Sequence, residues 1–198
     1  EINPKNFFIN PPKYCLIFLV CFLTIISSAG VLFLTGCANN LTKENEFMLD
    51  GNNISFTLSQ VWEEEITTEH DLSLKKLNAN LKLSVYKKDE IQLEADEFLD
   101  DLIKKELSEK DTKELIKEYN VNKTKNKTIY SKLYRASNGN IEDEYLFTVI
   151  EFDNSDTYLY AIYTAKGAYM QYSIDDIQRL LLKMEYKGET RKTELAYN

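Results

Sequence analysis

The first forty residues constrain this chain most, because a long stretch of them carries no charge. No charged residue occurs from Tyr14 to Thr42, and the basic residues Lys5 and Lys13 precede this stretch. An apolar run after basic residues is typical of a signal peptide or of a membrane-spanning helix. Because basic residues stay on the cytoplasmic side, both interpretations predict that the rest of the chain lies on the outer face of a membrane.

The apolar run ends in a short motif, Leu34-Thr35-Gly36-Cys37. This motif resembles the bacterial lipobox, in which an aliphatic residue stands two places before a small residue that is followed by cysteine. The resemblance implies that the Cys37 thiol receives a diacylglyceryl group and that a signal peptidase cuts before Cys37. Two acyl chains hold a protein stably on a bilayer, whereas one does not. An uncleaved transmembrane helix over residues 14–36 is the alternative.

Four segments are predicted along the chain. Residues 1–36 form the signal peptide, residues 37–46 the lipidated cysteine and its tether, residues 47–188 a folded domain, and residues 189–198 a polar tail. All three cysteines occur at or before position 37. The folded domain therefore has neither disulfides nor thiolate metal sites, and its length suffices for a core without such cross-links.

The chain carries an excess of negative charge. There are 32 Asp and Glu residues against 24 Lys and Arg residues, which gives a net charge of −8. Nucleic-acid binding needs clustered basic side chains that replace the counterions of the phosphates. A nucleic-acid partner is therefore not expected, and the negative charge mainly favours solubility.

Apolar periodicity predicts a mixture of strands and helices in the folded domain. Alternating apolar residues predict strands at 54–59, 81–86, 128–136, 142–152 and 157–165. Apolar residues at helical spacing predict helices from Ala95 to Leu107 and from Ser173 to Gly188. The strand over 142–152 is apolar on both faces, so it belongs in the middle of a sheet that is covered on each side.

Two local signals complete the predicted elements. Asp111 and Glu114 have the spacing of a capping box, which predicts a further short helix through Tyr119. Asn138-Gly139-Asn140 predicts a hairpin turn between two meander strands. The order of strands, helices, a meander and a closing helix predicts an α+β domain, in which helices pack on an antiparallel sheet.

Some features of the folded domain resemble a known family. An early strand ends in tryptophan, over Ile54–Trp62, long meander strands follow, and an apolar stripe lines the last helix. On these features residues 47–187 resemble the PsbP/Mog1-like family, although Gln60-Val61 replaces the usual proline before the tryptophan. The resemblance implies an α/β/α sandwich that serves as a non-enzymatic accessory or binding domain, with no specific ligand.

Candidate catalytic and metal-binding residues are sparse. His70 is the only histidine, and no serine lies in a Gly-x-Ser-x-Gly turn. Zinc and copper sites usually combine several histidines or cysteines, so neither a metal nor another cofactor is expected. Glu63-Glu64-Glu65 is interpreted as a solvated loop or an edge strand. Two alternatives stay open: a carboxylate-based hydrolase of the cell envelope, and a solute-binding lipoprotein of a transporter.

Tyrosine is the one unusually abundant residue, with 13 in the chain. Tyr130 and Tyr134 share one face of a predicted strand, and Tyr158 and Tyr160 share a face of another. Aromatic rows of this kind either pack a sheet or form a recognition surface. As a surface they would bind an envelope protein, a peptide or a glycan. The domain itself is expected to be a monomer on its membrane tether.

Overall fold

The computed structural model describes residues 44–51, 53–59 and 61–188. The predictions for the signal peptide, for the lipidation of Cys37 and for the polar tail at 189–198 lie outside the described residues. Within these three ranges, no helix is both long and apolar enough to cross a membrane.

The described residues form eleven strands and three helices. The strands are β1 (Glu44–Leu49), β2 (Ile54–Ser59), β3 (Glu63–Glu65), β4 (Leu72–Lys76), β5 (Ala79–Lys87), β6 (Thr112–Glu118), β7 (Asn122–Lys123), β8 (Lys127–Asn138), β9 (Ile141–Phe152), β10 (Thr157–Ala165) and β11 (Glu185–Tyr186). The helices are α1 (Lys88–Ile91), α2 (Ala95–Glu106) and α3 (Gly167–Lys183). All five predicted strands and the helix predicted from Ala95 are confirmed.

The strands form two antiparallel sheets. A small sheet has the order β1-β2-β11, and a large sheet has the order β3-β4-β5-β10-β9-β8-β6, with β7 also paired to β8. β9 therefore lies in the middle of the large sheet, as the apolar residues on both of its faces predicted. The turn predicted around Gly139 joins β8 to β9, and this glycine adopts a φ of 57°, which most other residues disfavour.

Two hydrophobic cores lie on opposite faces of the large sheet. On one face, α3 and the small sheet cover residues such as Leu146 and Ile150. On the other face, α2 packs against Phe147 and Val149. Helix α2 turns five buried residues at helical spacing toward the sheet: Ala95, Phe98, Leu99, Leu102 and Ile103. Helices thus cover both faces of an antiparallel sheet, which confirms the predicted α+β class.

The helix predicted after Asp111 is wrong, because Thr112–Glu118 forms strand β6. The Asp111 carboxylate accepts the Gly139 N–H at 2.7 Å, so it fastens the β8–β9 turn instead of capping a helix. β6 pairs antiparallel with β8. The backbone N–H and C=O groups of this segment find their hydrogen-bond partners on the long strand β8. This pairing outweighs the weak helix preference that the spacing of Asp111 and Glu114 indicated.

Three further boundaries refine the sequence prediction. α3 begins at Gly167 rather than at Ser173, whose hydroxyl instead bonds a main-chain carbonyl one turn earlier in the helix. β1 begins at Glu44, inside the segment that was predicted as a tether over 37–46. Glu63–Glu65 forms the edge strand β3, with all three residues exposed. Of the two interpretations of this acidic run, the edge strand is therefore correct.

Candidate functional site

The four tyrosines singled out in the sequence share one face of the large sheet, but α2 covers part of that face. Tyr158 and Tyr160 are only 4% and 3% exposed. The Tyr158 ring stacks on Phe98 of α2 with 5.5 Å between ring centroids, and its hydroxyl donates to the Leu93 carbonyl at 3.2 Å. Tyr158 and Tyr160 are therefore core residues, and the expectation that they form a binding surface is wrong. Alternation along a strand shows that two residues share a face of the sheet, but it does not show whether a helix covers that face.

Tyr130 and Tyr134 lie at the border of the area that α2 covers, and both are half-buried. Between them, the Lys132 ammonium is held by the Asp100 carboxylate of α2 at 2.6 Å. Burial raises the pKa of both phenols, so they stay neutral at physiological pH. Of the four tyrosines, only Tyr130 and Tyr134 therefore remain partly accessible.

His70 does not form a catalytic triad with its neighbour Asp71. The His70 Nδ1 atom lies 2.9 Å from the Ser84 hydroxyl, while the Asp71 carboxylate accepts the Val85 N–H at 2.7 Å. The Asp71 carboxylate therefore joins the start of β4 to β5 by a hydrogen bond and does not orient the imidazole. Burial, followed by the positive charge of Lys82, lowers the pKa of His70. His70 is thus a half-buried, largely neutral hydrogen-bonding group.

A cleft opens beside β2 because its partner strand β11 is very short. β1 pairs with β2 along its whole length, from Ile54 to Ser59. On the other side of β2, β11 pairs only with Ile54 and Ser55. Among the described residues, the part of β2 from Phe56 to Ser59 therefore has a strand partner on one side only. This open edge forms one wall of a cleft of about 500 Å³.

The direction of the peptide groups shows which of them face the open edge. The Asn53 carbonyl accepts the Lys187 N–H at 2.6 Å, so it points toward β11. Peptide groups of alternate residues in a strand point to the same side. Those of Ser55 and Thr57 therefore point the same way as that of Asn53. β11 pairs with Ser55, whereas Thr57 lies beyond its end, with its N–H and C=O directed into the cleft.

The walls of the cleft combine an apolar floor with charges of both signs. Phe56 and Leu180 are buried at its floor, and the Phe56 ring stacks on Phe47 at 5.5 Å. The charged lining residues are the acids Glu44, Glu46, Asp176 and Glu185 and the bases Arg179, Lys183 and Lys187. All seven are exposed or half-buried. Such a site can hold a ligand by main-chain hydrogen bonds, apolar contact and charge together.

One buried lysine binds the main-chain carbonyls at the C-terminal end of α3, just before β11 begins. The Lys127 ammonium donates to the carbonyls of Leu181 at 3.3 Å and Leu182 at 2.6 Å, and also to that of Met184. These carbonyls end α3 and lack partners within the helix. Because α3 ends at Lys183, β11 begins only at Glu185, and among the described residues β2 beyond Ser55 has no strand partner on this side. Sequence patterns gave no signal for this contact or for the cleft, since both join segments far apart in the chain.

No protein-family model matches this chain, and no curated protein matches it. The solution structure of cyanobacterial PsbP (CyanoP) from Synechocystis sp. PCC 6803 is similar, with a TM-score of 0.60 and 12% identity over 75% of this chain and 95% of that one. The Ran-binding protein Mog1p of Saccharomyces cerevisiae is similar as well, with a TM-score of 0.51 and 10% identity over 74% of this chain and 96% of that one. These similarities show the fold, which is the PsbP/Mog1-like fold expected from the sequence.

Proposed function

We propose that this chain, with its PsbP/Mog1-like fold, is a non-enzymatic accessory module that is tethered to the outer face of a membrane and binds an extended segment of a partner protein beside β2. The open edge at Thr57 is the observation that carries this proposal. A peptide that adds to a sheet edge gains affinity from main-chain hydrogen bonds and specificity from its alternate side chains. The similar protein Mog1p, described as a Ran-binding protein, supports a protein as the partner.

The charges of the cleft define the kind of peptide that fits it. A strand laid beside β2 directs its side chains alternately to the two faces of the small sheet. On the outer face they meet the carboxylates of Glu46 and Glu185, and on the helix side they meet Arg179 and Lys183. Lys187 also lies 4.0 Å from Glu46, and Asp176 lies 3.3 Å from Arg179, so the segment that fits carries charged side chains of both signs.

Exposed carboxylates make the cleft a poor hydrolase site. Glycoside hydrolysis needs one carboxylic acid whose environment keeps it protonated, usually an apolar pocket. The four acidic residues of the cleft are all exposed. The cleft therefore favours binding over the carboxylate-based hydrolase considered from the sequence.

The tether supports a position close to the membrane. Only six residues separate Cys37 from Glu44, the first residue of β1, and the chain from Cys37 to Glu44 spans at most about 25 Å when extended. A Cys37→Ala variant is expected to accumulate as unprocessed precursor without labelled fatty acid. Unchanged labelling and gel mobility of this variant would contradict the lipid anchor and leave the cleft proposal standing.

A pair of variants at Thr57 tests the cleft. Thr57→Pro removes the N–H that points into the cleft, while the hydrogen bonds between β1 and β2 use the N–H and C=O groups of Ile54, Phe56 and Leu58. Thr57→Ala keeps the backbone and serves as the matched control. A photoreactive side chain at Lys183 captures the partner in native membranes, and the same group at Lys105, exposed on α2, reports background.

The expected result is specific to the cleft. Capture from position 183 should fall about tenfold in the Thr57→Pro variant, the effect of roughly one lost hydrogen bond. It should be unchanged in the Thr57→Ala variant. Thermal unfolding of both variants shows whether the domain stays folded. Equal capture by folded Thr57→Pro and Thr57→Ala variants would overturn the proposal.

A further inference from the structure

Strand β6 forms one edge of the large sheet. Among residues 44–51, 53–59 and 61–188, it pairs with β8 on one side only, and it ends the strand order of the sheet. All seven of its residues, Thr112–Glu118, are exposed. At its centre lie two apolar side chains, Leu115 and Ile116, which are 47% and 38% exposed. Apolar residues at the centre of an open edge offer a site for another strand.

A β-bulge interrupts β6 at Ile116. Leu115 faces Tyr134 of β8, and Lys117 faces Leu133, the preceding residue of β8. Two residues of β8 thus correspond to three of β6, so Ile116 is the extra residue. An extra residue reverses the alternation of side chains beyond it. Residues on the two sides of the bulge therefore share faces that a regular strand would keep apart.

Contacts of the outer residues confirm this reversal on the face covered by α2. The Lys113 ammonium donates to the carbonyl of Leu107, just after α2, at 3.1 Å. The Glu118 carboxylate lies 3.4 Å from Lys132, which is itself held by α2. Lys113 and Glu118 are five residues apart, so a regular strand would place them on opposite faces. The bulge places both on the α2 face.

The other two charged residues lie on the opposite face. Glu114 lies 3.7 Å from Arg135, which follows Tyr134 in β8 and so points away from α2. The Lys117 ammonium lies 4.4 Å from the ring centre of Tyr119, and that ring packs against the core on the α3 side. Each face of β6 therefore carries one acidic and one basic residue, placed on either side of the bulge.

We propose that two copies of this chain pair antiparallel through β6, with the two-fold axis between Leu115 and Ile116. In this register Lys113 faces Glu118 of the second copy, and Glu114 faces its Lys117. Leu115 faces Ile116 of the second copy at the centre. Facing residues of an antiparallel pair must lie on the same face of the sheet, and the bulge meets that condition for both charged pairs.

The alternation of faces disfavours the neighbouring registers. A shift by one residue sets Lys113 opposite Lys117 of the second copy in one direction and Glu114 opposite its Glu118 in the other. The two residues of each of these pairs lie on opposite faces of the sheet, so their side chains cannot pair. The sequence of β6 thus favours one register by attraction between opposite charges, and it places apolar residues at the centre and charges at the rim, as in other protein interfaces.

The sequence alone led us to expect a monomer, because it did not show which strand lies at the edge. The test uses the full chain in detergent micelles, with association measured by sedimentation over a range of protein concentrations. The wild-type chain should dimerise. An acidic variant, Lys113→Glu with Lys117→Glu, and a basic variant, Glu114→Lys with Glu118→Lys, should each associate at least about tenfold more weakly.

Mixing the two variants is the decisive step. The acidic and basic strands match again in the heterodimer, so an equimolar mixture should recover wild-type association. Circular dichroism confirms that each variant is folded. Ile141 is an exposed apolar residue outside β6, and thermal unfolding of an Ile141→Ala control shows how far a surface substitution by itself changes the stability of the domain. A wild-type chain that stays monomeric, variants that dimerise as well as the wild type, or a mixture that stays monomeric would each overturn the proposal.

Discussion

The ammonium group of Lys127 donates a hydrogen bond to the main-chain carbonyl of Leu182, 2.6 Å away, at the end of α3. Lys127 is 2% exposed, and burial lowers its pKa. A buried ammonium is tolerated here because carbonyls at a helix C-terminus carry partial negative charge. The contact therefore joins the first residue of β8 to the point where α3 gives way to β11.

Replacement of Lys127 tests the strength of this contact. A Lys127→Met variant keeps the length of the side chain but leaves the carbonyls at the end of α3 without their donor. We expect the free energy of unfolding, measured with urea, to fall by about 2–4 kcal/mol. Lys125→Met, two residues earlier and exposed, should change it by less than about 0.5 kcal/mol. Equal effects of the two substitutions would show that Lys127 contributes no special contact.

Removal of the hydroxyl group should change the free energy of unfolding differently at Tyr158 and at Tyr160 of β10. The buried Tyr160 hydroxyl has no hydrogen-bond partner among the described residues, whereas the Tyr158 hydroxyl donates to Leu93. Tyr160→Phe should therefore leave the free energy of unfolding unchanged or raise it, because an unpaired buried hydroxyl is removed. Tyr158→Phe should lower it by about 0.5–1.5 kcal/mol. The reverse order in chemical denaturation would mean that the two environments are assigned wrongly.

His70 predicts a pH dependence of stability. Its pKa in the folded domain is lowered by burial, so below pH 6.5 the unfolded chain binds more protons than the folded one. Stability should therefore be highest above pH 6.5 and should fall as the pH drops below that value. A His70→Gln variant should lose this part of the pH dependence. Melting temperatures of both forms between pH 5 and pH 8 provide the test, and parallel curves would contradict it.

Local periodicity was sufficient to predict much of the fold. Ala95–Glu106 and Ile141–Phe152 carry their signals within a few neighbouring residues, because each buries a regular stripe or face. The segment after Asp111 misled the prediction, since its capping spacing is equally local while its true partner is β8. Where local and long-range interactions compete, only the structure shows which one prevails.

The candidate site could not be predicted in the same way. Alternation placed Tyr158 and Tyr160 on one face of a strand, but coverage by α2 depends on how distant segments pack. The cleft exists because β11 is only two residues long, and β11 begins directly after Met184, whose carbonyl binds Lys127 from 57 residues earlier in the chain. The cleft and the cover over the tyrosines both depend on how elements far apart in the chain pack together. Such packing produces no periodic pattern of apolar residues in the sequence.

Amide hydrogen exchange at Thr57 shows whether a partner strand pairs with β2. In the free domain, the Thr57 N–H points into the cleft and should exchange quickly, whereas the Phe56 N–H points toward β1 and should exchange slowly. On addition of the partner captured from position 183, we expect strong protection of the Thr57 amide and little change at the Phe56 amide. Tight binding of that partner without any added protection of the Thr57 amide would contradict the claim that a partner strand pairs with β2.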